Sequence, residues 1–130
     1  MYLDKTILYS CCLMIKIADS DNHICNNELN IIKEILIDFF KISKKKSSKY
    51  IERAKEKTNN SVDYFKFSKY LESQFSYQDK LDLLKCIFEV GYSDGKLDSI
   101  EYHYIKIISN LFNIEHRDMI KSKIEMKKFF

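Results

Sequence analysis

Proline is absent from this 130-residue chain, and glycine occurs only twice. The two strongest interrupters of regular structure are nearly gone, so breaks in a helical pattern must be made by polar residues. That excludes Pro-rich and Gly-rich linkers and favours an all-α protein. Tryptophan is missing too, although nine Tyr and nine Phe supply aromatic bulk. No apolar run reaches the ~20 residues of a membrane span. Leu8-Tyr9-Ser10-Cys11 has the outward form of a lipoprotein cleavage box. Asp4 and Lys5 leave almost no apolar region ahead of it and Lys16 interrupts the apolar stretch after it, so no signal peptide is read. Cys11, Cys12, Cys25 and Cys86 show no CxxC spacing. They read as reduced thiols, Cys11, Cys12 and Cys86 filling the core, in a cytoplasmic setting. Nucleophile-elbow, phosphate-loop and His-Glu-x-x-His motifs are missing as well.

What is present fits one globular domain, residues 1–130, with 45% hydrophobic and 32% charged residues. The formal net charge of +3 is too small to argue for a nucleic-acid partner. It is unevenly spread. Residues 41–57 hold eight Lys/Arg against two Glu, and residues 116–130 hold five against two acids. The rest of the chain is net acidic. The basic stretch is either a solvated surface or a docking face, and residues 44–57 are the segment expected to make any peripheral membrane contact.

Apolar residues recur at three- and four-residue steps through seven segments. The first helix is expected over 3–18, with Leu8, Cys11, Cys12, Ile15 and Ala18 on one face. The second runs from an Asn26 cap to about Lys41, with Leu29, Ile32, Ile35, Leu36 and Phe39 inward. Ser43–Ser48 reads as a polar connector, and a third helix covers 47–58 with Tyr50, Ile51 and Ala54 inward. A turn comes next at Thr58–Ser61, with Ser61 able to cap a fourth helix whose inner face is Tyr64, Phe65, Phe67, Ser68 and Leu71. The fifth helix spans 77–92 behind a Ser76 cap, with Leu81, Leu84, Ile87, Phe88 and Gly91 on its stripe. The sixth spans 99–112 with Tyr102, Ile105, Ile108 and Phe112 inward, and a last helix starts at Glu115-His116 with Met119, Ile120, Lys123 and Ile124 in helical spacing. Residues 126–130 either fray or dock through their two Phe.

Two breaks resemble one another. Asp21, Ile24 and Glu28 in the first correspond to Asp94, Leu97 and Glu101 in the second, each 73 residues on. The first and second helices are therefore one copy of a helix–acidic turn–helix unit, and the fifth and sixth are another. Copies packed face to face bring the turns together; packed antiparallel, they send them to opposite ends. The sequence leaves both open.

Asp-Gly-x-Leu-x-x-x-Glu looks like the back half of a calcium EF-hand. With Glu101 at loop position twelve, positions one and three fall on Val90 and Tyr92, and in the first copy on Ile17 and Asp19. Calcium needs six to eight oxygens, so a true EF-hand is excluded in both. Two readings remain. In one, the acids are local: Asp94-Gly95 and Asp21-Asn22 are turn dipeptides, and Asp98 with Glu101 has capping-box spacing. In the other, Asp21, Glu28, Asp94 and Glu101 converge as oxygen ligands for a divalent cation. His23 and Cys25 add a weaker soft-metal option with Asp21. His103 and His116 have no catalytic partner nearby in sequence.

These turns resemble the TerB-like family, the tellurite-resistance protein B domain, related to the N-terminal domain of a membrane-anchored DnaJ-type co-chaperone. The mark is a helix ending in Ala-x-x-Asp-Gly-x-Ile, then three residues and Glu, present twice. Ala18, Asp21, Ile24 and Glu28 match one copy; Gly91, Asp94, Gly95, Leu97 and Glu101 match the other. Leu111-Phe112-Asn113-Ile114 looks like the family's Leu-Gly-Ile ending. Asn22 and Cys25 depart from the pattern, which weakens the first copy as a site. Without proline there is no J-domain His-Pro-Asp motif. The resemblance implies a compact all-α bundle of about seven helices, acids suspected of binding metal ions, and a link to stress resistance. The function expected is a metal-binding or protein-interaction module with protein partners, not an enzyme. A metal-free adaptor is the alternative, and a metal-dependent hydrolase a more distant one.

Overall fold

The computed structural model describes residues 2–19, 24–60 and 64–130, without the side chains of residues 59 and 60. Seven helices occur in order among them: α1 Asp4–Ala18, α2 Asn26–Phe40, α3 Lys44–Asn60, α4 Tyr64–Gln74, α5 Tyr77–Gly91, α6 Ser99–Leu111 and α7 His116–Lys127. The described residues form no strand.

Helix α1 is the axis of the bundle. It packs against α2, α3, α4, α5 and α6, while α7 covers α5 and α6. The expected single face of α1 is therefore too narrow. Thr6 through Ile15 are all buried, as are Ile17 and Ala18. A helix buried all round cannot show amphipathic periodicity, and the two polar residues in its middle must be satisfied inside. Ser10 donates its hydroxyl to the Thr6 carbonyl (2.8 Å), and the Thr6 hydroxyl meets that of Tyr70 (3.4 Å). The lysines near its ends reach out over aromatic rings. Lys5 lies 4.8 Å from the Tyr70 ring centroid, and Lys16 4.9 Å from that of Tyr104.

Several boundaries and faces differ from the sequence expectation. The basic connector is helix: α3 starts at Lys44, with Ser43 Oγ accepting the Lys46 N–H (3.1 Å). Lysine is a good helix former, and Ser47, fully buried, donates to the Lys33 carbonyl (2.9 Å), tying α3 to α2. The turn expected from Thr58 does not occur, for α3 continues to Asn60. The Thr58 hydroxyl bonds back to the Lys55 carbonyl (3.1 Å) within the helix. The Ser61 cap lies outside the described residues. Phe65, expected inward, is 61% exposed, and the core face of α4 is Phe67, Ser68 and Leu71. On α2 the end of the stripe is Phe40, with Phe39 only half-buried. On α7, Met119 and Ser122 face the core while Ile124 is 56% exposed. At the tail, Phe130 stacks on Tyr92 (centroids 6.0 Å apart) and Phe129 stays exposed.

Burial makes the first test simple. Leu13→Ala in the middle of α1 is expected to lower unfolding free energy by about 2–5 kcal/mol. Phe65→Ala is expected to stay within about 0.5 kcal/mol of the parent. Urea midpoints of the two variants measure the contrast; equal losses would refute this account of the core.

Candidate functional site

The two copies match in detail. Asp19 and Tyr92, 73 residues apart, end α1 and α5 with nearly the same backbone (φ −95°, ψ 7° and φ −89°, ψ 1°). Their N–H groups bond to the carbonyls of Ile15 and Phe88, the equivalent pair one turn earlier. At the start of the second helix of each copy, the N-caps are Cys25 and Asp98, again 73 apart. Asn26, expected as the cap, is instead the first helical residue. Glu28 decides this: its Oε1 accepts the Cys25 N–H (3.1 Å), just as Glu101 Oε1 accepts the Asp98 N–H (3.2 Å). Asp98 returns the bond by accepting the Glu101 N–H (2.8 Å). At the far ends the copies slip by one residue. Phe40 and Phe112 are both buried, and the residues after them, Lys41 and Asn113, both turn left-handed (φ 57° and 58°).

The second turn is built on its two glycines. Gly95 sits at φ +105°, a conformation that L side chains rarely adopt. Asp94 Oδ1 accepts the Lys96 N–H (3.4 Å) across it. Gly91 lies where a Cβ would come within 2.6 Å of Leu97 Cδ1, so α5 and the turn close on each other there. The equivalent residue of the first copy is Ala18, fully packed.

Of the alternatives left open by the sequence, the structure takes the one that brings the copies together. Asn27, opening α2, donates its side-chain amide to the carbonyl of Ser93 in the second turn (3.1 Å). Glu28 and Glu101 are both buried, at 8% and 7% exposure, and close enough for Glu28 to act on Glu101. Burial pushes the Glu101 carboxyl up to about 8, and the charges of Asp98, Asp94 and Glu28 add to it; the hydrogen bond from Asp98 N–H works the other way. Among the described residues, none of these four acids has a Lys or Arg ion-pair partner. Asp21 and His23 lie outside the described residues. Among those described, no three His, Cys, Asp or Glu side chains stand close enough to hold a metal ion. Glu28, Asp94 and Glu101 thus share one neighbourhood, with the two glutamates committed through one oxygen each to their own helix caps. Asp98 belongs to that neighbourhood as well; its capping-box spacing was the sequence signal for it.

Three of the thiols, Cys11, Cys12 and Cys86, read as inert. Cys11 and Cys12 are fully buried and burial raises both, Cys12 to about 11. Cys86 is only half-buried, but burial and its acidic neighbours Glu89, Asp82 and Asp38 still push it up to about 12. The four cysteines are free.

The architecture is an all-α bundle in which two helix–acidic turn–helix units meet where α2 begins and the second turn leads into α6. The family model for tellurite resistance protein TerB matches residues 8–124, and the chain belongs to that family. A crystal structure of a protein of unknown function from Porphyromonas gingivalis W83 shares the fold, with a TM-score of 0.67 at 16% identity over 98% of this chain and 92% of that one. No curated protein sequence matches. Among the described residues, no helix is long and apolar enough to cross a membrane.

The buried acid carries a pH signature. The folded protein holds the Glu101 proton up to about pH 8, whereas an unfolded chain releases it near the ordinary 4.5. The folded state binds more protons between those values, so this group lowers stability as pH rises from about 4.5 to 8. Glu101→Gln keeps an oxygen for the Asp98 N–H and removes the titration. At pH 8 it should gain about 1–3 kcal/mol on the parent relative to their difference at pH 4.5. Urea unfolding of both proteins at the two pH values tests this; parallel pH profiles would contradict it. Gly95→Ala should cost about 1–3 kcal/mol from backbone strain alone, since the space around it is open.

Proposed function

We propose that this TerB-family domain is a divalent-cation-binding and protein-interaction module acting in a stress response, and not a catalyst. The observation that carries the cation half is Glu101: a buried carboxylate beside Glu28, Asp94 and Asp98, with no cationic side chain paired to any of them among the described residues. Carboxylate oxygens are hard donors and suit calcium, magnesium or manganese better than softer ions. Glu28, Asp94 and Glu101 are the ligands proposed, with Asp21 the fourth expected from the sequence. The cation would supply the positive charge this cluster lacks; Asp98 and Cys25 would hold the two glutamates through their backbone N–H groups.

The interaction half is supported by α7. Ile120 and Ile124 line an open hollow of about 550 Å³ rimmed by Arg117, Lys121, Glu125 and Lys128, and Ile124 is 56% exposed. An apolar floor with a charged rim is the usual anatomy of a protein contact. The protonated, largely buried thiols support binding over nucleophilic chemistry, and four free cysteines fit the cytoplasmic setting proposed from sequence. A metal-free adaptor is the second reading. It is favoured by the capping boxes, which give Glu28, Asp98 and Glu101 a local role without any ion.

Thermal melts titrated with calcium, magnesium, manganese and zinc separate the two. A hard cation at about a hundred times its dissociation constant stabilises by about 2.7 kcal/mol, which raises Tm by several degrees. The double variant Asp94→Asn, Glu101→Gln should lose that rise. No shift with any ion, or a shift the double variant keeps, leaves the adaptor reading.

A further inference from the structure

Lys41, Lys44, Lys45, Lys46 and Lys49 stand exposed within nine residues where α2 hands over to α3. Among the described residues none of them pairs with an acid. Two of the acids on this side of the molecule are already taken. Asp4 receives both Arg53 amino groups (2.9 and 3.0 Å) and the Tyr50 hydroxyl (2.7 Å), and Arg53 with Tyr50 holds its carboxyl down at about 2. Glu52 lies against Lys55 at 4.0 Å. The five lysines are left without an ion pair among the described residues. Lys44, Lys45 and Lys46 also occupy the first turn of α3, where the positive end of the helix dipole adds to their charge. Folding gains nothing electrostatically from lysines placed there.

The chain segment beside them carries an exposed apolar residue. Leu3 is 63% exposed. Its neighbours Tyr2 and Asp4 line a shallow hollow of about 270 Å³ together with Lys41, Ile42 and Lys46. The chemistry of the patch discriminates between anionic partners. Both arginines of the chain are committed, Arg53 to Asp4 and Arg117 to Glu115, so no guanidinium fork is left for bidentate phosphate or base contacts. The two tyrosines of the patch are half-buried and engaged: Tyr2 packs on Phe39, Phe40 and Phe75, and Tyr50 has its hydroxyl held by Asp4 and Arg53 over its ring, so neither is free to stack a base. Clustered lysine point charges next to an exposed aliphatic side chain fit the headgroup layer of an anionic bilayer, where each lysine adds to a diffuse attraction and the aliphatic group enters the interface.

We propose that the face formed by Lys41, Lys44, Lys45, Lys46, Lys49 and Leu3 docks this protein on an anionic lipid surface. The attraction is independent of the acidic turns, so it operates with divalent ions chelated. Sedimentation of the full chain with vesicles in EDTA tests it, using phosphatidylcholine alone and phosphatidylcholine with 30% phosphatidylserine. Binding is expected only to the anionic vesicles at 50 mM salt, and should be largely lost at 300 mM as charges are screened. Lys44→Gln, Lys45→Gln and Lys46→Gln together should weaken it by tenfold or more, up to about a hundredfold. Lys127→Gln with Lys128→Gln on α7 should change it less than threefold. Leu3→Ser should weaken binding further at the higher salt. Unchanged thermal melts of the variants confirm that folding is intact. Equal binding to neutral vesicles, no binding to anionic ones at low salt, or an equal loss in the α7 variant would overturn the proposal. Tighter binding to duplex DNA or RNA than to the vesicles at matched salt would assign the face to nucleic acid instead.

Discussion

Everything in this bundle depends on burying one helix on every side. Helix α1 touches five of the other six helices, and its residues from Thr6 to Ile15 are all removed from water. A helix with no solvent face can tolerate polar groups only where a partner is at hand, and Thr6 and Ser10 meet that condition through each other and Tyr70. It also needs both ends to escape. Lys5 and Lys16 do so by laying their ammonium groups on aromatic rings of α4 and α6. The adjacent cysteines result from the same constraint. At the centre of the bundle a thiol is a small hydrophobe, and Cys11 and Cys12 are kept protonated by the burial that makes them useful there.

A central helix also explains why the start of α2 lies against the second turn. With α1 packed on α5 and α6, and α2 on α5, the end of α1 and the end of α5 are held in one region. The Asn27–Ser93 hydrogen bond is the local consequence. Helices α3 and α4, inserted between the copies in sequence, also pack on α1, α3 together with α2 and α4 together with α6. The chain thereby places its net acidic turns and its basic α2–α3 junction on different parts of one small body, which is why a modest net charge of +3 conceals two surfaces of opposite character.

The architecture was largely readable because the breaks are so few. With no proline, each interruption had to be a polar turn, and the seven helices could be located from those turns together with the three- and four-residue apolar spacing between them. The equivalence of Glu28 with Glu101 was readable too, from the constant 73-residue offset that also pairs Asp21 with Asp94 and Ile24 with Leu97. The misses share a cause: local pattern was asked to report a tertiary fact. Phe65 falls in an aromatic run, yet the orientation of α4 turns it outward. Ser43–Ser48 is polar enough to be a loop, yet Ser47 finds the Lys33 carbonyl and the lysines around it carry the helix onward. Asn26 is the better cap by residue type, yet the reach of Glu28 to Cys25 sets the register. Whether the acidic turns meet depends on how two hairpins pack, and nothing local encodes that.

The meeting of the turns converts the glutamates from caps into a coupled pair. A carboxylate buried at a helix start has three sources of compensating positive charge: the helix N-terminus, a proton, or a cation. The first is supplied identically in both copies, by the N–H groups of Cys25 and Asp98. At Glu101 it is outweighed first by burial, and the charges of Asp98, Asp94 and Glu28 add to the opposition. The remaining deficit falls to the proton or the cation, and these compete for the same oxygens. Under the proposed cation reading, a neighbourhood that raises Glu101 to about 8 would make binding strongest on the alkaline side and weakest in acid. The second copy is the better anchor for that exchange. Its glycine at positive φ holds Asp94 against the turn, and Asp98 adds a fourth carboxylate where the first copy has the uncharged Cys25.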